Sequence, residues 1–349
     1  MKKKGLVLIV VGLLGLMSLL VGPVQAQDKV IEWRFHTPHS DGRSEWVMEK
    51  EWCDTITKAT NGRLKVTPYP AGALGFKDAD MIRIAGQNVI ESYMWYPGYT
   101  TRDDAILGLT LPEMILSQRE HFVAVSPYAY EVAKERMSKK WKIRLSAVFP
   151  SPSAYVGIVG KEPYNTLASL KGKKIRVWEV QQGETLKTLG IPAQTMAQAD
   201  IYLALKSGVL DGAVWYPSSM LLSSMYEVAP YYSTLYQGCA LLGFGVSEIA
   251  FNNLPKELQE TVKKVESDLM KKWFAEANGW VKKYDDPSIE KLKEKGAKVL
   301  ADFPQADKDL LVKTGIEVWR ERAKAIGSTE AIEYQKKMEE HLIRTKPRN

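Results

Sequence analysis

The chain has 349 residues, 48 Lys and Arg against 41 Asp and Glu, a formal net charge of +7, two cysteines and four histidines. Its basic residues alternate with acids, as in Lys256-Glu257 and Glu290-Lys291-Leu292-Lys293-Glu294-Lys295, which marks solvated helix surfaces and excludes a nucleic-acid footprint. No Cys/His spacing suits a metal, no cofactor is expected, and Cys53 and Cys239 read as buried thiols, not as a disulfide.

At the N-terminus, Met1-Lys2-Lys3-Lys4 precedes an uncharged apolar run over residues 5–21, and Val24 and Ala26 stand where a signal peptidase reads small residues. This order predicts a secretory signal peptide over 1–26, cleaved after Ala26. The run is ~17 residues, short for a spanning helix. The mature protein is therefore expected to be exported and not embedded in a membrane. Without the three lysines of the leader its charge is +4. The remaining residues, roughly 320, exceed one typical core, so two domains are expected.

Residues 30–35 alternate and read as a first strand. A loop over 36–42 follows, then a helix over 44–60 with Trp46, Val47, Trp52 and Ile56 near one face and Asn61-Gly62 as its stop. Next come a strand at 64–69, a loop at 71–75, a short helix at 77–85 and a strand at 90–95. Residues 118–138 read as helix, and 142–149 and 155–159 as strands. Strand 174–177 contains Arg176. Helices over 184–189 and 199–207 end at Gly190 and Gly208, and 210–215 reads as turn then strand. Strands alternating with helices predict parallel α/β sheets. Residues 241–251 read as a strand, 256–283 as a long charged helix, and 287–337 as helical with a strand-like break at 298–300. No flexible linker interrupts the pattern, so the two domains are expected to share crossing strands.

The order of these motifs resembles a family. Residues 56–63 (Ile-Thr-Lys-Ala-Thr-Asn-Gly-Arg), then Tyr69-Pro70-Ala71-Gly72-Ala73-Leu74-Gly75, are similar to the first helix and P-x-G-x-L-G loop of the solute-binding proteins of tripartite ATP-independent periplasmic (TRAP) transporters, the family typified by the dicarboxylate receptor. Residues 167–177 resemble its D-L-K-G-K-K-I-R-V segment, departing at Ala168-Ser169. Residues 189–193 and 202–213 resemble its L-G-A-x-P and Y-x-A-L-Q-x-G-x-x-D-G segments. The resemblance covers nearly all of the mature chain. It implies an α/β fold of two domains, a periplasmic binding protein whose cleft closes at a hinge, with crossing strands and a long connecting helix. The expected division is 27–149 plus 237–270 for domain I, 150–236 plus 285–325 for domain II, 256–284 for the connecting helix and 326–349 for a C-terminal helical tail. It also implies a small organic acid as ligand and TRAP membrane subunits as partners, the receptor itself being a monomer.

Arg176 lies between Ile175 and Val177, where an unpaired guanidinium is costly. It needs an anion, from a structural acid or from a ligand, and its planar fork suits a carboxylate. The resemblance implies the ligand. Trp215 and Tyr216 end a strand, the place where open α/β sheets bind ligands. Val214 stands where metal-using relatives carry an acid, which argues against a metal. Trp178 follows Arg176 closely, and Tyr93, Trp95 and Tyr96 form a second aromatic cluster. His36 and His39 sit in the loop after the first strand. No Arg lies in 149–159, where relatives for dicarboxylates carry a second one, and Ser153 or Tyr155 is expected to supply a hydroxyl there instead. Arg176 is thus expected to be the sole cationic anchor, for a monocarboxylate with an apolar or aromatic body. A receptor feeding a sensor, or one for an uncharged polar solute, stays open. Catalysis is not expected: there is no Gly-x-Ser-x-Gly elbow, and His36, His39, His121 and His341 lack a triad context.

Overall fold

Two sheets organise the chain in the computed structural model, which describes residues 29–346 except 71, 197 and 239. The expected signal peptide, its cleavage point and Cys239 lie outside those residues, while Cys53 is a buried free thiol. The first sheet is formed by β1 (Ile31–Thr37), β2 (Leu64–Pro70), β3 (Ser92–Trp95), β4 (Ile143–Pro150) and β10 (Leu241–Ser247), in the order β2-β1-β3-β10-β4. The second is formed by β5 (Tyr155–Gly160), β6 (Ile175–Val177), β7 (Ala193–Thr195), β8 (Gly212–Trp215), β9 (Tyr231–Gln237) and β11 (Lys298–Val299), in the order β11-β9-β5-β8-β6-β7.

In each sheet one strand opposes the rest. β10 runs antiparallel to β3 and β4, and β5 runs antiparallel to β8 and β9. Each odd strand is the one that the other sheet delivers: β4 leads into β5, and β9 leads into β10. The two crossings lie side by side, with Ser151 N donating to the Ala240 carbonyl at 2.8 Å.

Helices cover both faces of the sheets, so both pleat faces are apolar. On one face of the first sheet lie α1 (Ser44–Ala59) and a long helix, Lys256–Glu276; Trp52 of the former stacks on Phe244 of β10 at 4.5 Å between centroids, and Trp273 of the latter joins the same cluster. The opposite face is covered by α2 (Arg119–Arg136) and by the C-terminal helix Thr329–Arg344, which packs back on α2. The helix Gln305–Ala325 instead packs on Val180–Thr188, beside the second sheet.

The charged segment expected as one helix over 256–284 is α-helical only to Glu276; Ala277–Gly279 is a 3-10 turn and Val281–Asp285 a π turn. Asn278-Gly279 holds helix poorly, and the chain turns there to make a third crossing into Asp286–Glu294. Buried charges tie this crossing to the first one. Arg119 donates to the Ser151 carbonyl at 2.6 Å and to the Ala277 carbonyl at 3.0 Å, and Asp285 Oδ2 accepts from the amides of Ala154 at 2.6 Å and Tyr155 at 3.1 Å.

Candidate functional site

The carboxyl ends of the parallel strands from both sheets converge on one cleft, as the geometry of open α/β sheets leads one to expect. A cavity of about 880 Å³ opens there. Arg176, Trp178, Trp215 and Tyr216 line it from the second sheet, and Tyr96 and His39 from the first. These six of the expected site residues come together in space.

Strand β6 explains the placing of Arg176. Ile175 and Val177 point into the core on one face, and Arg176 points to the other, only 5% exposed. Its Nε donates to the Met196 carbonyl at 3.1 Å. Nη1 is buried without a hydrogen bond, and among the described residues no carboxylate pairs with the group. The guanidinium carbon lies 4.4 Å from the Trp215 ring centre and 6.0 Å from that of Trp178, which is cation–π range. Burial pulls its pKa down to about 9, Tyr99 opposes this, and Arg43 adds to it. Since a guanidinium keeps its proton in proteins, the strain of burial stands as an unmet demand for an anion. Trp215 Nε1 and Ser219 Oγ, both on residues of the same wall, are likewise buried without hydrogen-bond partners among the described residues.

Aromatic rings form much of the wall. Trp178 stacks on Tyr216 with centroids 5.3 Å apart and planes 19° apart. Tyr96 meets Tyr99 edge-on at 5.2 Å. The first-sheet side is more polar. His39 Nδ1 hydrogen-bonds Glu49 at 2.7 Å. Arg43, which nothing in the sequence singles out because it reads as the start of a helix, also lines the cavity and pairs with Glu45 at 3.2 Å. Burial opposes the charge on Glu45, but Arg43 and then His39 outweigh it and bring its pKa down to about 2. Arg176 is therefore not the single cation of the cavity: Arg43 stands there too, with its counter-charge beside it, and Lys77 lies at the exposed rim.

Five expected site residues lie elsewhere. Tyr93 and Trp95 occupy the face of β3 opposite to Met94 and Tyr96, and alternation buries them under the α2 layer. His36 is buried on β1 with Nε2 2.9 Å from Asp78 Oδ1; Asp78, not His36, reaches the cavity. Ser153 is fully buried in the first crossing, its hydroxyl 3.3 Å from that of Ser44 and 3.1 Å from that of Ser218. Tyr155 begins β5 beyond that crossing, with its phenol directed to Asp286. The crossing carries both residues past the cleft.

Comparison with known proteins places the arrangement among relatives. Residues 39–325 match the family model described as bacterial extracellular solute-binding protein, family 7. A monocarboxylate 2-oxoacid-binding periplasmic protein of Nostoc sp. is 25% identical over 245 residues, 69% of this chain and 66% of that protein, so the chain spans just under two thirds of this relative. A TRAP periplasmic solute-binding protein from Desulfovibrio desulfuricans, solved with bound sn-glycerol-3-phosphate, superposes with a TM-score of 0.78 at 17% identity over 91% of this chain and 98% of that one. Another from Roseobacter denitrificans, with bound β-D-glucuronate, gives 0.72 at 21% identity over 87% and 98%.

Proposed function

The chain belongs to the family 7 bacterial extracellular solute-binding proteins, and from that premise we propose that it is a periplasmic receptor that captures a small organic carboxylate and hands it to the membrane subunits of a TRAP transporter. The observation behind this reading is the Arg176 guanidinium, buried at the cavity wall with no carboxylate of its own. A ligand carboxylate would meet that demand through a charge-assisted fork. The body of the ligand would lie on Trp178, Tyr216 and Tyr96, which favours a monocarboxylate with an apolar or aromatic body. Arg43 does not call for a second acid group, because Glu45 already neutralises it. The Nostoc relative is named for 2-oxo monocarboxylates, which supports a single carboxylate; the apolar body rests on the aromatic wall alone.

The Arg43–Glu45 pair favours one alternative body. A donor and an acceptor side by side suit ligand hydroxyls, and the Roseobacter relative holds a glucuronate. Calorimetric titration with phenylpyruvate, 4-methyl-2-oxopentanoate, succinate and glucuronate separates these readings. Tight binding of the first two and weak binding of the others is the expected result. Tight succinate binding without monocarboxylate binding would sink the proposal, and a preference for glucuronate would move the body of the ligand to the hydroxylated class.

A further inference from the structure

Behind the aromatic wall lies a pair of acids that carboxylate capture does not use directly. Glu113 and Glu179 are both buried, 4% and 6% exposed. Tyr96, which lines the cavity from the first-sheet side, donates its hydroxyl to Glu179 Oε2 at 2.7 Å. The Glu113 amide donates to Glu179 Oε1 at 2.8 Å. Tyr236 donates to Glu113 Oε2 at 2.6 Å, and Gln182 donates in turn to the Tyr236 hydroxyl at 3.4 Å. The Trp178 indole lies against the Glu113 carboxylate and favours its ionised form. Glu113 Oε1 is buried without a hydrogen bond among the described residues. Tyr216 faces the cluster through Tyr96 and Tyr236. The base whose charge reaches Glu179 is Arg322, and it is ion-paired with Glu184 at 2.9 Å.

The surroundings hold the pair under constraint. Leu111 and Met114, on either side of Glu113, have φ of 48° and 64°, a costly region for residues with a Cβ. A Cβ on Gly98 would come within 2.9 Å of Glu179 Oε2, so glycine there lets the turn after β3 approach the acid. Two carboxylates in one buried network, with no cation bonded to either, cannot both ionise cheaply.

We propose that Glu113 and Glu179 share one proton at neutral pH and act as positioning residues, holding Tyr96 and Trp178 in the cavity wall so that carboxylate capture depends on that proton. Burial first, and the charge of Glu179 second, push Glu113 up to about 8, and burial likewise raises Glu179. Loss of the proton puts a second negative charge behind the wall. That charge repels a ligand carboxylate, whereas the hydrogen bond from Tyr96 to Glu179 persists, because an ionised carboxylate is the stronger acceptor. The dependence of capture on the proton rests on the function proposed above; the shared proton itself does not.

Infrared spectroscopy of the mature chain tests the pair directly. A buried protonated carboxyl band is expected at about pH 6, fading by about pH 9, and weakened or absent in both Glu113→Gln and Glu179→Gln. Calorimetry with phenylpyruvate then reads the positioning role. Wild-type affinity is expected to be about five- to tenfold weaker at the higher pH, while Glu113→Gln, an isostere of the protonated acid, binds equally at both. A missing band, or one that neither substitution touches, overturns the shared proton. A titrating band with pH-independent binding overturns the positioning role. A titrating band with no phenylpyruvate binding at either pH counts against the carboxylate reading and supports the proton pair.

Discussion

Arg176 is where residue chemistry and sequence pattern agree. A guanidinium flanked by Ile175 and Val177 already signals a missing anion, and in the folded chain no carboxylate supplies it among the described residues. Arg43 was illegible for the opposite reason: a charge beside a helix start, four positions after His39 and two before Glu45, looks like surface until the fold brings it to the cleft. Glu113 and Glu179 were illegible because their meeting depends on a long-range packing that periodicity does not encode. Asp285 shows how burial at a crossing can be tested at the same scale. It is fully buried, and burial raises its pKa to about 6 although the amides of Ala154 and Tyr155 and the Ser153 hydroxyl favour its charge. Its ordinary value is near 4. The folded state thus binds more protons than the unfolded one between about pH 4 and 6, and the contribution of this group to stability falls as pH rises through that window. Denaturant unfolding of Asp285→Asn beside the wild type should show the wild type losing about 2–3 kcal/mol relative to the variant across the window. Parallel pH profiles would contradict the assignment.

Elements were legible where period and punctuation coincide. The helix expected over 44–60 is Ser44–Ala59, ended at Asn61-Gly62, where Gly62 takes φ 76°. The strand expected over 241–251 ends at Ser247 and gives way to the helix Glu248–Asn252, because Ser247 caps it by accepting from the Ala250 amide. Strands Ala193–Thr195 and Tyr231–Gln237 went unread. The first is only three residues long, too short to show a period, and the second is β-rich in Tyr and Thr but almost wholly buried, so it lacks alternation. The phase of β3 was the costliest ambiguity. Its alternation puts Tyr93 and Trp95 on one face and Met94 and Tyr96 on the other, and nothing local says which face meets the cleft. The partner strand resolves it: Gly245 of β10 leaves room for the Tyr93 ring, and a Cβ there would lie 2.3 Å from Tyr93 Cε1. Gly245→Ala should therefore destabilise the fold by about 1–3 kcal/mol in denaturant melts. A change below about 0.5 kcal/mol, the scale of neutral surface substitutions, would contradict this packing.

At the scale of the whole molecule, the two sheets communicate through three crossings, and the cleft opens where their strand ends face each other. The resemblance in the sequence already implied that architecture, because its motifs punctuate strand ends and helix stops between residues 56 and 213. Which aromatic faces the cleft was beyond it, since that depends on how one sheet sits against the other. Six expected residues reach the cavity and five are carried past it. A ligand that touches Arg176 from one side and the first-sheet wall from the other would favour a closed form, a population shift that the hinge crossings permit. Small-angle scattering should show the radius of gyration fall when phenylpyruvate saturates the protein. Equal radii with and without it would argue that capture leaves the cleft open.

The role of Arg176 as anchor is the claim on which the rest depends, and its substitution distinguishes a ligand role from a structural one. A buried cation with no carboxylate partner, held by one carbonyl and two ring faces, adds little to the fold that its burial does not cost. Calorimetry and thermal melts of Arg176→Ala beside the wild type should show phenylpyruvate affinity falling by about 2–5 kcal/mol while the melting temperature holds or rises. Unchanged affinity, with a fall in melting temperature, would contradict the account.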